Sequence, residues 1–313
     1  MADGVDREPG ELEPPDVARR PSPRIPLEPD ALIADRLELG EGARWFDGAL
    51  YLVDILTGRL LIARHDGGAR LETVLRLDTS LGAAAAIQDR PGQWLVAAGR
   101  GFAVTDSRGS VEWLARPEDG NPASVRMNDG AVDGRGRFWA GSMAEDGQTG
   151  AGSLYRVEHD GTVHRVLDGI TISNGPAFSP DGALMYLADS AAGTVDRFSL
   201  DAVGDIVARD LFVRFEGDTV SPDGMAVDVE GYLWLAMWGG GCVHRYRPDG
   251  ALAQVVRVAA TQPTSVCLGG ADGRRLFITS AYAGLAQASS TDGALFTMRV
   301  DVAGPPSSKA ILR

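Results

Sequence analysis

The sequence predicts an all-β chain folded as a six-bladed β-propeller of four-stranded blades, with the ring closed by an N-terminal strand. Three observations carry this expectation. Six aromatic-centred apolar strands recur at a near-constant interval. Glycine is abundant, at 40 of 313 residues, while helix-type apolar spacing is scarce. The last repeat is one strand short.

The repeat is read from "DGALYLVD", "PGQWLVAA", "GRFWAGSM", "GALMYLAD", "GYLWLAMW" and "GRRLFITS". Their aromatics are Tyr51, Trp94, Trp139, Tyr186, Trp234 and Phe277, spaced by 43, 45, 47, 48 and 43 residues. A period in the forties with about four strands per period is the signature of a propeller. The fifth repeat displays all four strands as "GMAVDV", "YLWLAMW", "CVHRYR" and "AQVVRVA". Turns such as "HDG" and "RPDG" join the outer strands, as hairpin chemistry requires. After "GALFTMRV" the sixth repeat has only "DVAGPPSSKAILR" left, whereas "ALIADRLEL" (Ala31 to Leu39) is an orphan strand before the first repeat. Pairing that strand with the last blade closes the ring and covers an edge open to aggregation.

Composition sets the bounds. Hydrophobic residues make up 44%, enough for a full core, and the net charge of −13 disfavours nucleic acid and anionic membrane as partners. No window approaches the ~18 apolar residues of a membrane span, and the first residues lack the basic and apolar regions of a signal peptide. Two cysteines, Cys242 and Cys267, form no disulfide framework, so the expected setting is a reducing cytoplasm. Residues 1–30 hold seven of the 17 prolines and read as a disordered acidic tail. The propeller then occupies 31–313.

In a propeller the first strand of each blade lines the central channel. Counting back from the aromatics, Glu41, Asn128, Asn174 and Asp223 fall ten to twelve residues earlier, at the expected channel mouth of blades one, three, four and five. Asn and Asp beside glycine are also plain turn formers. That accounts for Gly130, Gly175 and Gly224 but not for Glu41, because Glu is not a turn residue. Converging Glu, Asn and Asp make an all-oxygen set suited to hard divalent ions.

The motifs "LGEGARW", "VRMNDGAVDGRGRFWAGSMAED", "ISNGPAFSPDG" and "SPDGMAVDVEGYLWLAMWGG" resemble the SMP-30/gluconolactonase/regucalcin-like family of metal-dependent sugar lactonases. The resemblance implies a six-bladed propeller that hydrolyses a sugar lactone to an aldonic acid. It implies one divalent cation (Ca²⁺, Zn²⁺, Mn²⁺, Mg²⁺ or Fe²⁺) on Glu41, Asn174 and Asp223. Asp223 is then also the catalytic base, with Asp129 next in line, and Arg126 and Asn128 bind the substrate. A further substrate-binding acid is implied at "SMAED", where Asp146 takes the place and Glu145 precedes it. Two rivals remain open: a hydrolase of other esters or organophosphates on the same site, and a non-catalytic propeller that binds sugar or protein. The four histidines fall on outer-strand or turn positions and are expected at the surface. Trp45 and Trp238 either wall the pocket or pack. No G-x-S-x-G or H-E-x-x-H motif supports a serine hydrolase or zincin.

Overall fold

The computed structural model describes Met1 and residues 28–33, 35–64, 70–217 and 219–313. The expected tail falls almost wholly outside the described residues. Among the described residues, 24 strands form six antiparallel four-stranded sheets. Blade one is β2 (Gly40–Phe46), β3 (Ala49–Asp54), β4 (Arg59–Ala63) and β5 (Leu71–Arg76). Blade two is β6 (Leu81–Ala86), β7 (Gln93–Ala98), β8 (Gly101–Asp106) and β9 (Val111–Ala115). Blade three is β10 (Val125–Val132), β11 (Phe138–Ala144), β12 (Gly152–Val157) and β13 (Val163–Ile170). Blade four is β14 (Ser173–Phe178), β15 (Leu184–Asp189), β16 (Thr194–Leu200) and β17 (Ile206–Arg214). Blade five is β18 (Ser221–Val227), β19 (Leu233–Trp238), β20 (Cys242–Tyr246) and β21 (Leu252–Arg257).

Blade six is β22 (Gln262–Gly269), β23 (Arg275–Ala281) and β24 (Leu295–Arg299), completed by β1 (Asp30–Ile33) against β24. The N-terminal strand thus supplies the missing outer strand. It is shorter than the Ala31 to Leu39 expected. After it the chain turns inward: Leu37 is buried and donates its N–H to the Gly293 carbonyl, and Leu39 makes an isolated bridge to Ala281. The C-terminal segment returns across the opposite end of the channel. Lys309 pairs with Asp47 of blade one, Ala310 bridges Ile87 of blade two, and the Ile311 N–H donates to Gly136 of blade three.

The core is divided among the blade interfaces. One cluster joins blades one and two around Leu60, Trp94 and Val96, and a second joins blades three and four around Trp139, Met185 and Phe198. Comparable clusters fill the other four interfaces. The inner and middle strands bury residues on both faces, because every blade is sandwiched between two others, whereas outer strands such as β9 and β17 are mostly exposed. Among the described residues no helix is long and apolar enough to cross a membrane.

Candidate metal and substrate site

Each inner strand carries a β-bulge at its channel-lining end. The register slips between Glu41 and Arg44, Met127 and Gly130, Asn174 and Ala177, and Pro222 and Met225. At each slip two residues of the inner strand oppose one of its partner, which re-aims side chains toward the axis. The candidate residues therefore sit inside the first strands and not ahead of them at the mouth, which corrects the count from the aromatics. They also occupy two adjacent places of the bulge. Glu41 and Asn174 are the last paired residues before it, and Asn128 and Asp223 are its first extra residues. Gly175 in the blade-four bulge has φ of 88°, a left-handed conformation that only glycine adopts without strain.

These four side chains meet at the floor of a cavity of about 260 Å³. Glu41, Asn128, Asn174 and Asp223 expose only 3–5% of their surface. Arg126 and Ser190 share the floor, while Leu39, Ile55, Met143, Ile172 and Trp238 contribute an apolar wall. Trp45 lies elsewhere, stacked on Phe277 with ring centroids 5.4 Å apart. The channel's other end holds a separate cavity of about 180 Å³ beneath Gly304–Ser308, whose lining includes none of these four side chains.

A directional chain of hydrogen bonds crosses the floor. Arg126 Nη1 donates to Asn128 Oδ1 at 2.6 Å and to the Met127 carbonyl at 3.0 Å. Asn128 Nδ2 donates to Asn174 Oδ1 at 2.9 Å and to the Ser173 carbonyl at 2.8 Å. Asn174 Nδ2 donates to Ser190 Oγ at 2.8 Å, and Ser190 Oγ donates to the Pro222 carbonyl at 2.6 Å. Asn128 has thus spent both N–H groups, and only its oxygen can receive a further donor. Arg126 keeps Nε and Nη2 unspent among the described residues.

Burial and like charge act together on the acids of the floor. Burial pushes the Glu41 carboxyl well above its ordinary range, and the neighbouring Asp223 and Asp129 charges add to it. Burial does the same to Asp223, with Asp129 repelling it further. Desolvation lowers the Arg126 guanidinium from its usual range, opposed by Glu145, Glu41 and Asp223. Asp129 is also raised by burial, but it receives the Gly130 and Gly175 N–H groups at 2.7 and 3.0 Å and lies 3.7 Å from Arg44. Among the described residues no group of three or more His, Cys, Asp or Glu is disposed to hold a metal. The candidate set is instead two carboxylates and an amide oxygen.

The acidic pair at "SMAED" separates. Glu145 is exposed at the rim, accepts the Ser124 hydroxyl at 2.7 Å and lends its charge to Arg126. Asp146 is also exposed, but it closes its own turn by accepting the Gln148 N–H at 3.1 Å. Neither lines the cavity. Sequence reading missed Arg44 and Ser190. Arg44 belongs to the quoted "LGEGARW", but its contacts are with Gly130 and Asp129 of blade three. Ser190 follows "LAD" at a strand end and reads as an ordinary turn serine. Of the histidines, His159 and His244 are half-buried, contrary to the surface expectation, with ring nitrogens 2.9 Å from the Arg135 carbonyl and 2.8 Å from the Tyr246 hydroxyl, and His164 is exposed. His65 lies outside the described residues.

Residues 39–282 match the family model for the SMP-30/gluconolactonase/LRE-like region. A pentonolactonase of Haloferax volcanii is 36% identical over 286 residues, covering 88% of this chain and 95% of the relative. A 6-deoxy-6-sulfogluconolactonase of Pseudomonas putida is 35% identical over 275 residues, covering 85% and 92%. The crystal structure of a calcium-binding protein, regucalcin, from Agrobacterium tumefaciens superposes with a TM-score of 0.83 at 30% identity, covering 90% of this chain and 98% of that one. On the bulge motifs, the ring closure and these matches together, the chain belongs to the SMP-30/gluconolactonase family.

Proposed function

We propose that this chain is a lactonase that opens a sugar lactone to its aldonic acid, with one divalent cation held by Glu41, Asn174 and Asp223. The observation that carries it is the convergence of these oxygens, with Arg126 and Asn128, at the floor of one apolar-walled cavity. The donor set fits such an ion. Two buried carboxylates, both raised by burial and by the nearby Asp129 charge, call for a positive charge between them. Asn174 keeps one oxygen lone pair free after accepting from Asn128. Both the lactonase names and the description of a relative as calcium-binding agree with the reading. Two unpaired thiols and a net charge of −13 support a reducing cytoplasmic setting and a small neutral substrate over nucleic acid.

When bound, the ion supplies Lewis acidity toward an ester carbonyl. The chain's own residues do the rest. Arg126 directs its unspent Nε and Nη2 hydrogens to lactone oxygens, and the Asn128 oxygen receives a substrate hydroxyl, which fixes the ring for attack. Asp223 accepts a proton from the attacking water as the new C–O bond forms. It returns that proton to the ring oxygen as the old C–O bond breaks. The apolar wall of Leu39, Ile55, Met143, Ile172 and Trp238 limits bulk water around these charges and strengthens their interactions.

The test is a pH-indicator assay on a panel of pentono- and hexonolactones, using chelated protein with single divalent ions added back. Hydrolysis restored by one or more ions is the expected result. Absence of hydrolysis with every ion, together with no ion uptake, overturns the reading.

A further inference from the structure

Asn174 differs from the two carboxylates beside it in one chemical respect. A carboxylate presents oxygen whichever way it turns, whereas an amide presents oxygen at one end and N–H at the other. Asn174 can serve the site only if its oxygen is held toward it.

Ser190 is built to do this. It follows β15, whose Ala188 is paired with Asn174. Its N–H donates to the Ile172 carbonyl at 2.9 Å, and the Asp189 carboxylate receives the Thr171 and Ile172 N–H groups at 2.9 and 3.1 Å. The turn is therefore clamped to the start of β14. The Ser190 hydroxyl lies between Asn174 Nδ2 and the Pro222 carbonyl. A carbonyl can only accept, so the single hydroxyl proton goes to Pro222. The face left toward Asn174 is then lone pairs, which accept an N–H and repel an amide oxygen. The same hydroxyl ties blade four to the residue preceding Asp223 in blade five.

The corresponding places in other blades support a specific role. The Ile55 N–H donates to Leu39, and the Glu145 N–H donates to Ser124, as Ser190 does to Ile172. Ile55 stands behind Glu41, a carboxylate that needs no orienting partner. In blade three the amide of Asn128 is oriented by Arg126 and the Ser173 carbonyl, and the hydroxyl stands only behind the amide read as an ion ligand.

We propose that Ser190 is a positioning residue that fixes the amide of Asn174 with its oxygen toward the cation site; this rests on reading Asn174 as an ion ligand. The test is calorimetric titration of the chelated full-length protein with Ca²⁺ and, separately, Mn²⁺. Ser190→Ala weakens ion affinity by about ten- to a hundredfold, and Ser190→Thr, which keeps the hydroxyl, stays within about threefold of the parent. Parental affinity in Ser190→Ala, or equal losses in both variants, overturns the proposal. A double-variant cycle separates orientation from folding. In an Asn174→Asp background, where both ends are oxygen, Ser190→Ala costs about twofold or less. An undiminished loss in that background overturns the proposal. Parallel titrations of Glu41→Gln and Asp223→Asn identify which idea fails. If these bind like the parent, the cation site itself is wrong and both fall. If they lose affinity while Ser190→Ala does not, only the role of Ser190 falls.

Discussion

Blades one, three, four and five place a carboxylate or amide at the inner-strand bulge, whereas blades two and six have the same kind of bulge and no such group. The register slips between Leu81 and Ala83 in blade two and between Pro263 and Val266 in blade six. At those places stand Gly82, and Thr264 with Ser265. The fold therefore offers six similar addresses, and the sequence fills four with chemistry. The other two buttress their neighbours. A Cβ on Gly82 would collide with the Asn128 carbonyl oxygen, so glycine lets blade two press against the backbone of a site residue. Thr264 donates its hydroxyl to the Gly40 carbonyl, directly before Glu41, and shares a 2.8 Å hydrogen bond with Thr279. What separates the two kinds of blade is side-chain identity on a common backbone.

That division can be broken most violently at the closure of blade six. Deleting residues 1–39 removes β1 and also the Leu39 and Glu38 N–H groups that the buried Asp54 accepts. We expect a fall in melting temperature of more than about 10 °C. Deletion of residues 1–27, measured by circular dichroism in parallel, should shift it by less than about 2 °C. Equal stability of the two truncations would show that blade six does not depend on its borrowed strand.

The next largest effect belongs to the filled blades. Asp223→Asn can still coordinate through its amide oxygen but cannot take a proton at neutral pH. Its kcat at saturating ion should fall by about 10²–10⁴, more than its ion content falls. Near-normal kcat would leave Asp223 a ligand only. Asp129 would then be a poor successor, because two backbone N–H groups and Arg44 already occupy its oxygens.

Arg126→Ala should cost about ten- to a hundredfold in kcat/KM, mainly through KM, since one charge-assisted hydrogen bond is worth roughly 1.5–3 kcal/mol. Ion content, measured by elemental analysis, should stay whole. A loss of ion would place Arg126 in the architecture of the cation site and not in substrate binding.

A smaller effect concerns pH. Without the ion, Glu41 and Asp223 hold protons more tightly when folded than when unfolded. Their contribution to stability is then fully present below the ordinary carboxylate range and is lost as pH rises through the raised folded values. Chelated protein should melt progressively lower as pH rises above the ordinary carboxylate range. The ion-loaded protein should show a flatter profile. Ion binding should also release protons, seen as a buffer-dependent heat in calorimetry. A chelated protein that is more stable at the alkaline end would contradict the carboxylate pairing.

The fold was legible because its signals are local. Turn glycines and strand-centre aromatics repeat at a fixed interval, and a repeat lacking one strand announces its own closure. The bulges were not legible, because a two-against-one register exists only once strands pair. The aromatics also concealed a stagger. Tyr51 and Tyr186 pair with the first residue after the bulge, whereas Trp139 and Trp234 pair with the second. Counting from them therefore drifted by a residue. Ser190 and Arg44 escaped for a related reason. Their roles come from neighbours on other blades, Pro222 for the first and Gly130 for the second, and no spacing along the chain records those contacts.

The mildest test compares two serines. Ser190 and Ser265 both lie near the channel, but Ser190 Oγ has two partners, whereas Ser265 Oγ is buried without one among the described residues. An unpaired buried hydroxyl has lost its water and received nothing in return, at a cost of about 1–3 kcal/mol. Replacing it with a methyl removes that cost and leaves a gap of a single oxygen, whose lost packing offsets part of the gain. Ser265→Ala should therefore be neutral or raise the melting temperature by no more than a few degrees, about 1–3 °C. Its N–H bond to Thr279 Oγ1 at 3.0 Å survives, because the backbone makes it. Since blade six contributes no residue to the proposed ion site, kcat/KM and ion affinity should stay within about twofold of the parent. A marked loss of activity or ion affinity in Ser265→Ala would mean that blade six belongs to the site after all, and the line drawn between filled and buttressing blades would have to move.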